Sequence, residues 1–304
     1  IILAVLVAGV IVVRQKMGKR ETTYSFLPGG HRESLVVDGR TRTYLLHIPS
    51  GYQTCKSHPL VIVLHGGKGS GQKIAEQTAF PDKADKEGFI AVFPDGIDNT
   101  WNNGLIHEKA PDRDKIDDVA FIRALVTNLA SRYSIDEKRI YATGVSNGGM
   151  MANRLGCEMS DILAAIGPDI GPPVTTVAAA CKPTHLVAVV GIQGDADPLV
   201  PLGGGELTGI AARYGENGEV LSAEATMQLW ASNNRCNPTP TITHVPPAID
   251  NGTSVDKYTF LDCDRGADLV YYIVNGMGHS WPPNPTKELI TGHATGNINA
   301  TEVF

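Results

Sequence analysis

Ile140-Tyr-Ala-Thr-Gly-Val-Ser-Asn-Gly-Gly-Met-Met151 carries a β-branched strand end into Gly144-Val-Ser146-Asn-Gly148 and then into a helix-forming run. A turn of this kind lifts a serine hydroxyl onto a strained strand-to-helix corner, and the glycines on either side let the backbone crowd together there. It nominates Ser146 as a nucleophile. The pentapeptide alone is not specific, because a chain with 33 glycines matches Gly-x-Ser-x-Gly readily by composition. Neighbouring segments must carry the reading.

Upstream, residues 60–64 form a continuous apolar run suited to a central strand covered on both faces, followed by His65-Gly-Gly-Lys-Gly-Ser-Gly71. Helical spacing over 72–86, a strand at 89–93 and the breaker Pro94-Asp-Gly96 complete a β-loop-α-β unit. Before it, 34–49 reads as two strands around Asp38-Gly39, a hairpin that supplies an antiparallel edge. After it, a loop with Trp101 leads to a helix opening at Asp117-Asp118, whose carboxylates suit a helix start and a loop anchor better than catalysis. Strands at 139–143, 162–166, 185–192, 256–261 and 269–274, with a helix at 223–233, continue the alternation. The pattern predicts an α/β fold: a doubly wound, mostly parallel sheet with an antiparallel N-terminal edge.

A serine nucleophile needs a base for its proton and an acid to orient that base. In the α/β-hydrolase arrangement these follow in the order Ser, Asp or Glu, His, each beyond the carboxyl end of a strand. The acid loop after 186–192 is Gln193-Gly-Asp195-Ala-Asp197-Pro198, so two carboxylates compete. Asp197 is favoured by position, and Asp195 suits a backbone-bonding turn role. Of His244, His279 and His293, only His279 follows a convincing buried strand. An oxyanion hole needs two aimed donors: one N–H from Gly67 or Lys68 in the glycine loop, and the N–H of Asn147. Trp101 and Trp281 sit in loops near the expected mouth and are candidates to line an acyl or aromatic pocket; simple loop packing is the competing role.

The chain has 304 residues, 42% hydrophobic and 19% charged, ample for one large α/β domain. A net charge of -6 leaves no basic stripe for nucleic acid. Residues 1–13 are unbroken apolar and are followed by a basic cluster to Arg20, which reads as an export signal or an N-terminal membrane tether. The expected division is therefore a leader at 1–20, a linker at 21–33 and a catalytic domain at 34–304, with the C-terminal helix cut short. The cysteines Cys55, Cys157, Cys181, Cys236 and Cys263 show no metal-ligand spacing, so no metal is expected. An exported chain would pair four of them. Pairing Cys157 with Cys181 and Cys236 with Cys263 closes modest loops, although spacing leaves the connectivity open.

Four ordered segments, 59–67, Gly144-Val-Ser-Asn-Gly-Gly-Met150, Gly194-Asp-Ala-Asp-Pro-Leu-Val-Pro201 and Gly276-Met-Gly-His-Ser-Trp-Pro282, resemble the polyhydroxybutyrate depolymerase and feruloyl esterase family of secreted α/β-hydrolases. The resemblance implies Ser146 as nucleophile, Asp197 as acid, His279 as base and no cofactor, and it supports the cysteine pairing. Two departures stand out: Gln193 where the family often has histidine, and Gly67 where it often has cysteine. The expectation is an exported serine carboxylic-ester hydrolase acting on a hydroxycinnamate, acetyl or hydroxyalkanoate ester. An acetyl xylan esterase, a serine peptidase and a catalytically silent binding module are the alternatives.

Overall fold

The structure, a computed structural model, describes residues 24–25, 30–107, 111–207, 216–284 and 291–304. The leader at 1–20, with its tether at 1–13, lies outside the described residues. The Asp38-Gly39 hairpin forms as expected, both turn residues taking positive φ (49° and 72°). It joins β2 (Gly30–Val37) to β3 (Arg40–His47), with β1 (Tyr24–Ser25) flanking β2.

The next strand, β4 (His58–Leu64), shows why its sequence is apolar throughout. Leu60, Ile62 and Leu64 enter one core cluster with Phe121, Ile122, Leu125 and Leu155, whereas Val63 enters a second with Ile74, Phe80, Phe93 and Trp281. Successive side chains leave opposite faces of a strand, so a sheet covered on both sides demands hydrophobicity at every position. Each such buried side chain contributes roughly 1.5–3 kcal/mol.

The helix expected over 72–86 is two helices, α1 (Gly71–Thr78) and α2 (Phe80–Glu87). Ala79 between them is left-handed at φ 52°, and Pro81 stands in the first turn of α2. The shared apolar spacing masks that break. Then follow β5 (Ile90–Pro94), the two-residue β6 (Ile106–His107), α3 (Asp118–Ala130), β7 (Ile135–Val145), α4 (Asn147–Glu158), β8 (Ala165–Asp169), α5 (Thr175–Ala180) and β9 (Ala188–Gly194). Short ladders β10 (Gly205–Glu206), β11 (Glu216–Asn217) and β12 (Glu219–Val220) precede α6 (Ala223–Asn233), β13 (Thr241–Val245), β14 (Ser254–Phe260), β15 (Leu269–Asn275) and α7 (Ala300–Val303).

Eleven strands form one sheet in the order β1-β2-β3-β5-β4-β7-β8-β9-β15-β14-β13. The six from β5 to β15 run parallel, and the fold is that of the α/β-hydrolases. Both edges are antiparallel: beyond the expected N-terminal edge, β14 and β13 add a second one past β15. The strand expected at 162–166 starts three residues later, because 159–163 closes a turn in which Ile162 and Leu163 donate to the carbonyl of Met159.

Candidate active site

The serine turn forms at the carboxyl end of β7, where Ser146 takes φ 57° and ψ -121° before α4 begins. A non-glycine residue held there stores strain that only a well-anchored turn sustains. The anchors are backbone bonds: the Ser146 N–H donates to the carbonyl of Asp169 at 2.9 Å, and the Met150 N–H to the carbonyl of Ser146 at 2.9 Å. Gly144 and Gly148 are required by close approach. A Cβ on Gly144 would lie 2.7 Å from the Leu64 carbonyl oxygen, and one on Gly148 would collide with the same atom. The end of β4 and the serine turn are thus pressed together, backbone on backbone.

The glycine loop leaves β4 against this turn. His65 is buried; its Nδ1–H donates to the Gly66 carbonyl (2.8 Å), and its Nε2 accepts from the Gly96 N–H (2.9 Å). That pair of bonds fixes the neutral tautomer, and burial further lowers the pKa of the ring. The Lys68 N–H donates to the carbonyl of Asn99 at 2.7 Å. Of the two loop candidates for an oxyanion donor, this leaves Gly67. Neither the Gly67 nor the Asn147 N–H donates to a protein acceptor among the described residues.

On the far side of the sheet's carboxyl edge, His279 Nδ1 lies 2.7 Å from Asp197 Oδ2. Asp197 Oδ1 accepts from the N–H groups of Leu199 (2.8 Å) and Val200 (2.9 Å). The carboxylate side chain is fully buried and aimed by its own loop. Asp195 is exposed and accepts from the Gly276 N–H at 2.6 Å, the turn role its position suggested. Between the two carboxylates the geometry therefore joins Asp197 to His279.

Ser146 and His279 line one cavity of about 210 Å³ with Gly66, Gly67, Ile74 and Trp281. Trp281 borders it from within the core, its side chain wholly buried and held by its indole N–H to Thr301 Oγ1 (3.1 Å) and by contacts with Phe80 and Phe304. Trp101 does not reach the cavity. Its indole donates to the His65 carbonyl (2.9 Å), its backbone N–H to Asn147 Oδ1 (2.8 Å), and its side chain is wholly buried. It packs behind the glycine loop rather than lining the pocket. Asp117 caps α3 through the Ala120 N–H, and Asp118 is buried between Arg42 and Arg113.

Comparison with known proteins bears on this geometry. The family described as Esterase PHB depolymerase matches residues 42–200. The chain belongs to that family. NocK, an esterase by name from Nocardia uniformis subsp. tsuyamanensis, is 32% identical over 255 residues, covering 82% of this chain and 73% of that protein. Feruloyl esterase B of Piromyces equi is 29% identical over 246 residues, covering 79% of this chain but 42% of that protein. Among solved structures, acetyl xylan esterase from Aspergillus awamori superposes with a TM-score of 0.56 at 15% identity, covering 79% of this chain and 90% of that one, a likeness of fold. The protein is a carboxylic ester hydrolase.

Four residues brace the esterase's site in roles that the sequence pattern does not show. Gln193, at the end of β9, donates through Nε2 to the Val200 carbonyl (3.1 Å) and so ties down the segment whose N–H groups hold Asp197. His65 and Trp101 brace the glycine loop. Asp169 ends β8, is wholly buried, and neither carboxyl oxygen has a partner among the described residues. Burial, and secondarily the charge of Asp197, pushes its pKa well above the usual carboxyl range, so it is held as the neutral acid. Only packing makes these roles, so pattern could not announce them.

Both expected disulfides form, Cys157 with Cys181 and Cys236 with Cys263, and Cys55 is free and exposed.

Proposed function

We propose that the protein is an exported serine esterase working through an acyl-enzyme. Ser146 attacks the ester carbonyl, and His279 takes its proton and returns it to the leaving alcohol. Asp197 holds the imidazole in the tautomer that keeps Nε2 free to act. The N–H groups of Gly67 and Asn147 stabilise the oxyanion, a contribution of about 2.7–4 kcal/mol for each donor. The observation that carries the reading is that His279, paired at 2.7 Å with the buried Asp197 behind it, lines the same cavity as a serine at φ 57°. Water then deacylates the enzyme by the reverse proton path.

The acyl group is a hydroxycinnamate or a short hydroxyalkanoate, the first supported by the name of the Piromyces equi relative and the second by that of the family. An acetyl ester fits the same machinery. Two disulfides support an extracytoplasmic location, for which residues 1–20 would supply the export signal, 21–33 a linker and 34–304 the catalytic domain. Replacing Ser146 with alanine should abolish both hydrolysis of short p-nitrophenyl esters and labelling by a fluorophosphonate. Retained turnover in that variant would overturn the assignment. Parallel amide substrates separate an esterase from a peptidase.

A further inference from the structure

The cavity that holds Ser146 and His279 has an asymmetric charge. Its α1 wall presents Lys73 and Gln77, one turn apart on the same helix, with the buried Ile74 lining the cavity beside them. Lys68 lies in the same lining, and no carboxylate lines the cavity among the described residues. Glu76 accepts from Gln72 (3.0 Å), and Asp95 binds Arg32, Thr43 and the Gly71 N–H. Asp197 sits behind His279 with its side chain fully buried. The Lys73 side chain is exposed and makes no hydrogen bond or ion pair among the described residues. In a chain of net charge -6, a catalytic cavity bordered by an exposed Lys73 and by no described carboxylate is a local reversal of sign.

Resting on the serine esterase reading above, we propose that this cavity selects esters that carry a carboxylate close to the scissile bond, with Lys73 as the residue that recognises it. The class includes the terminal carboxylate of a hydroxy-acid oligomer and a uronate beside an acylated sugar. A half-exposed ion pair of this kind adds a modest preference, expressed in KM and screened by salt.

Two substrate pairs test it, each sharing a scissile bond and differing in charge. The first is a hydroxybutyrate dimer against its terminal carboxamide; the second is an acetylated glucuronate-bearing xylo-oligosaccharide against the same sugar with its carboxyl reduced to an alcohol. The wild-type enzyme should favour the charged member of at least one pair by roughly three- to tenfold in kcat/KM at low salt, and the pair that responds identifies the source of the carboxylate. Added salt should shrink the ratio. Lys73→Gln should bring it towards one, Lys73→Glu should invert it, and Lys73→Arg should retain it. Equal rates within both pairs, or a ratio that survives Lys73→Glu, would overturn the proposal. Absence of any ester turnover together with no fluorophosphonate labelling of Ser146 would instead overturn the esterase site itself, and the selectivity with it.

Discussion

The backbone N–H of Ser146 donates to the carbonyl of Asp169 at 2.9 Å, so the residue that anchors the serine turn is also the one whose carboxyl lies buried without a partner. Its register explains why: Asp169 pairs with Val145 of β7 on one side and Ile192 of β9 on the other, between the strand that delivers Ser146 and the strand that delivers Asp197. A charge there would meet Asp197 with no compensating donor. The neutral acid is the form compatible with the fold.

That relationship sets a dependence of stability on pH. Because the folded pKa of Asp169 is raised, the unfolded chain releases this proton first as pH rises. Below the unfolded value both states are protonated and the group costs nothing. Between the two values the fold loses about 1.4 kcal/mol per pH unit from this one residue, and the loss levels off above the folded value. Asp169→Asn removes the titration. Denaturant midpoints from pH 4 to 8 should therefore show the variant gaining on wild type as pH rises. Parallel curves would contradict a neutral Asp169.

The two carboxylates of the acid loop should separate cleanly. Asp197→Asn leaves an amide facing His279 Nδ1 and disturbs the tautomer, so kcat should fall by about 10³- to 10⁴-fold. Asp195→Asn keeps an oxygen for the Gly276 N–H and should retain kcat within a fewfold of wild type. Steady-state kinetics on one p-nitrophenyl ester decides this, and comparable losses in both variants would refute the assignment.

How far the sequence announces all this depends on the kind of signal each residue leaves. The proposed triad of Ser146, Asp197 and His279 leaves a signal because each sits in a turn beyond its own strand, and the chain order of those turns is itself a pattern. The central strands were legible for the same reason that Leu60 to Leu64 is apolar throughout. β13 was not: Thr241-Ile-Thr-His-Val245 is an edge strand with nearly every side chain exposed, so no buried stripe marks it. The break at Ala79 was hidden because alanine carries no turn signal, and the spacing of α1 runs on into α2. Asp169, Gln193 and Trp101 act through neighbours brought from distant segments, which only packing reveals.

Gln193 acts on Asp197 at one remove, through Val200. Truncation to alanine frees the Val200 carbonyl and loosens the two N–H groups that aim the carboxylate, without touching the cavity wall. The expected result is a fall of roughly tenfold in kcat with KM little changed, as for a group that matters mainly once His279 becomes charged. An effect confined to KM would show that Gln193 shapes the pocket instead.

The disulfides close loops with sequence separations of 24 and 27 residues. Constraining the unfolded chain over loops of that length is worth on the order of 3 kcal/mol each in the chain-entropy account. Replacing Cys236 and Cys263 together by serine should lower the denaturation free energy by about that amount while leaving esterase kinetics intact, since neither residue approaches the cavity. Unchanged denaturation under reducing conditions would show that the link is not closed.

Both tryptophans are wholly buried, and only Trp281 borders the cavity. Trp281 lines the cavity, so Trp281→Ala should shift acyl preference towards bulkier esters, visible as a change in the ratio of kcat/KM for long over short p-nitrophenyl esters. Trp101 is held by His65 and Asn147, the two residues that frame the donors of Gly67 and Asn147. Trp101→Phe loses the indole donor but keeps most of the ring volume. Its kcat should fall by a similar factor for every ester, because the oxyanion donors drift while the pocket keeps its shape. A chain-length-dependent response from Trp101→Phe would place that ring at the substrate after all.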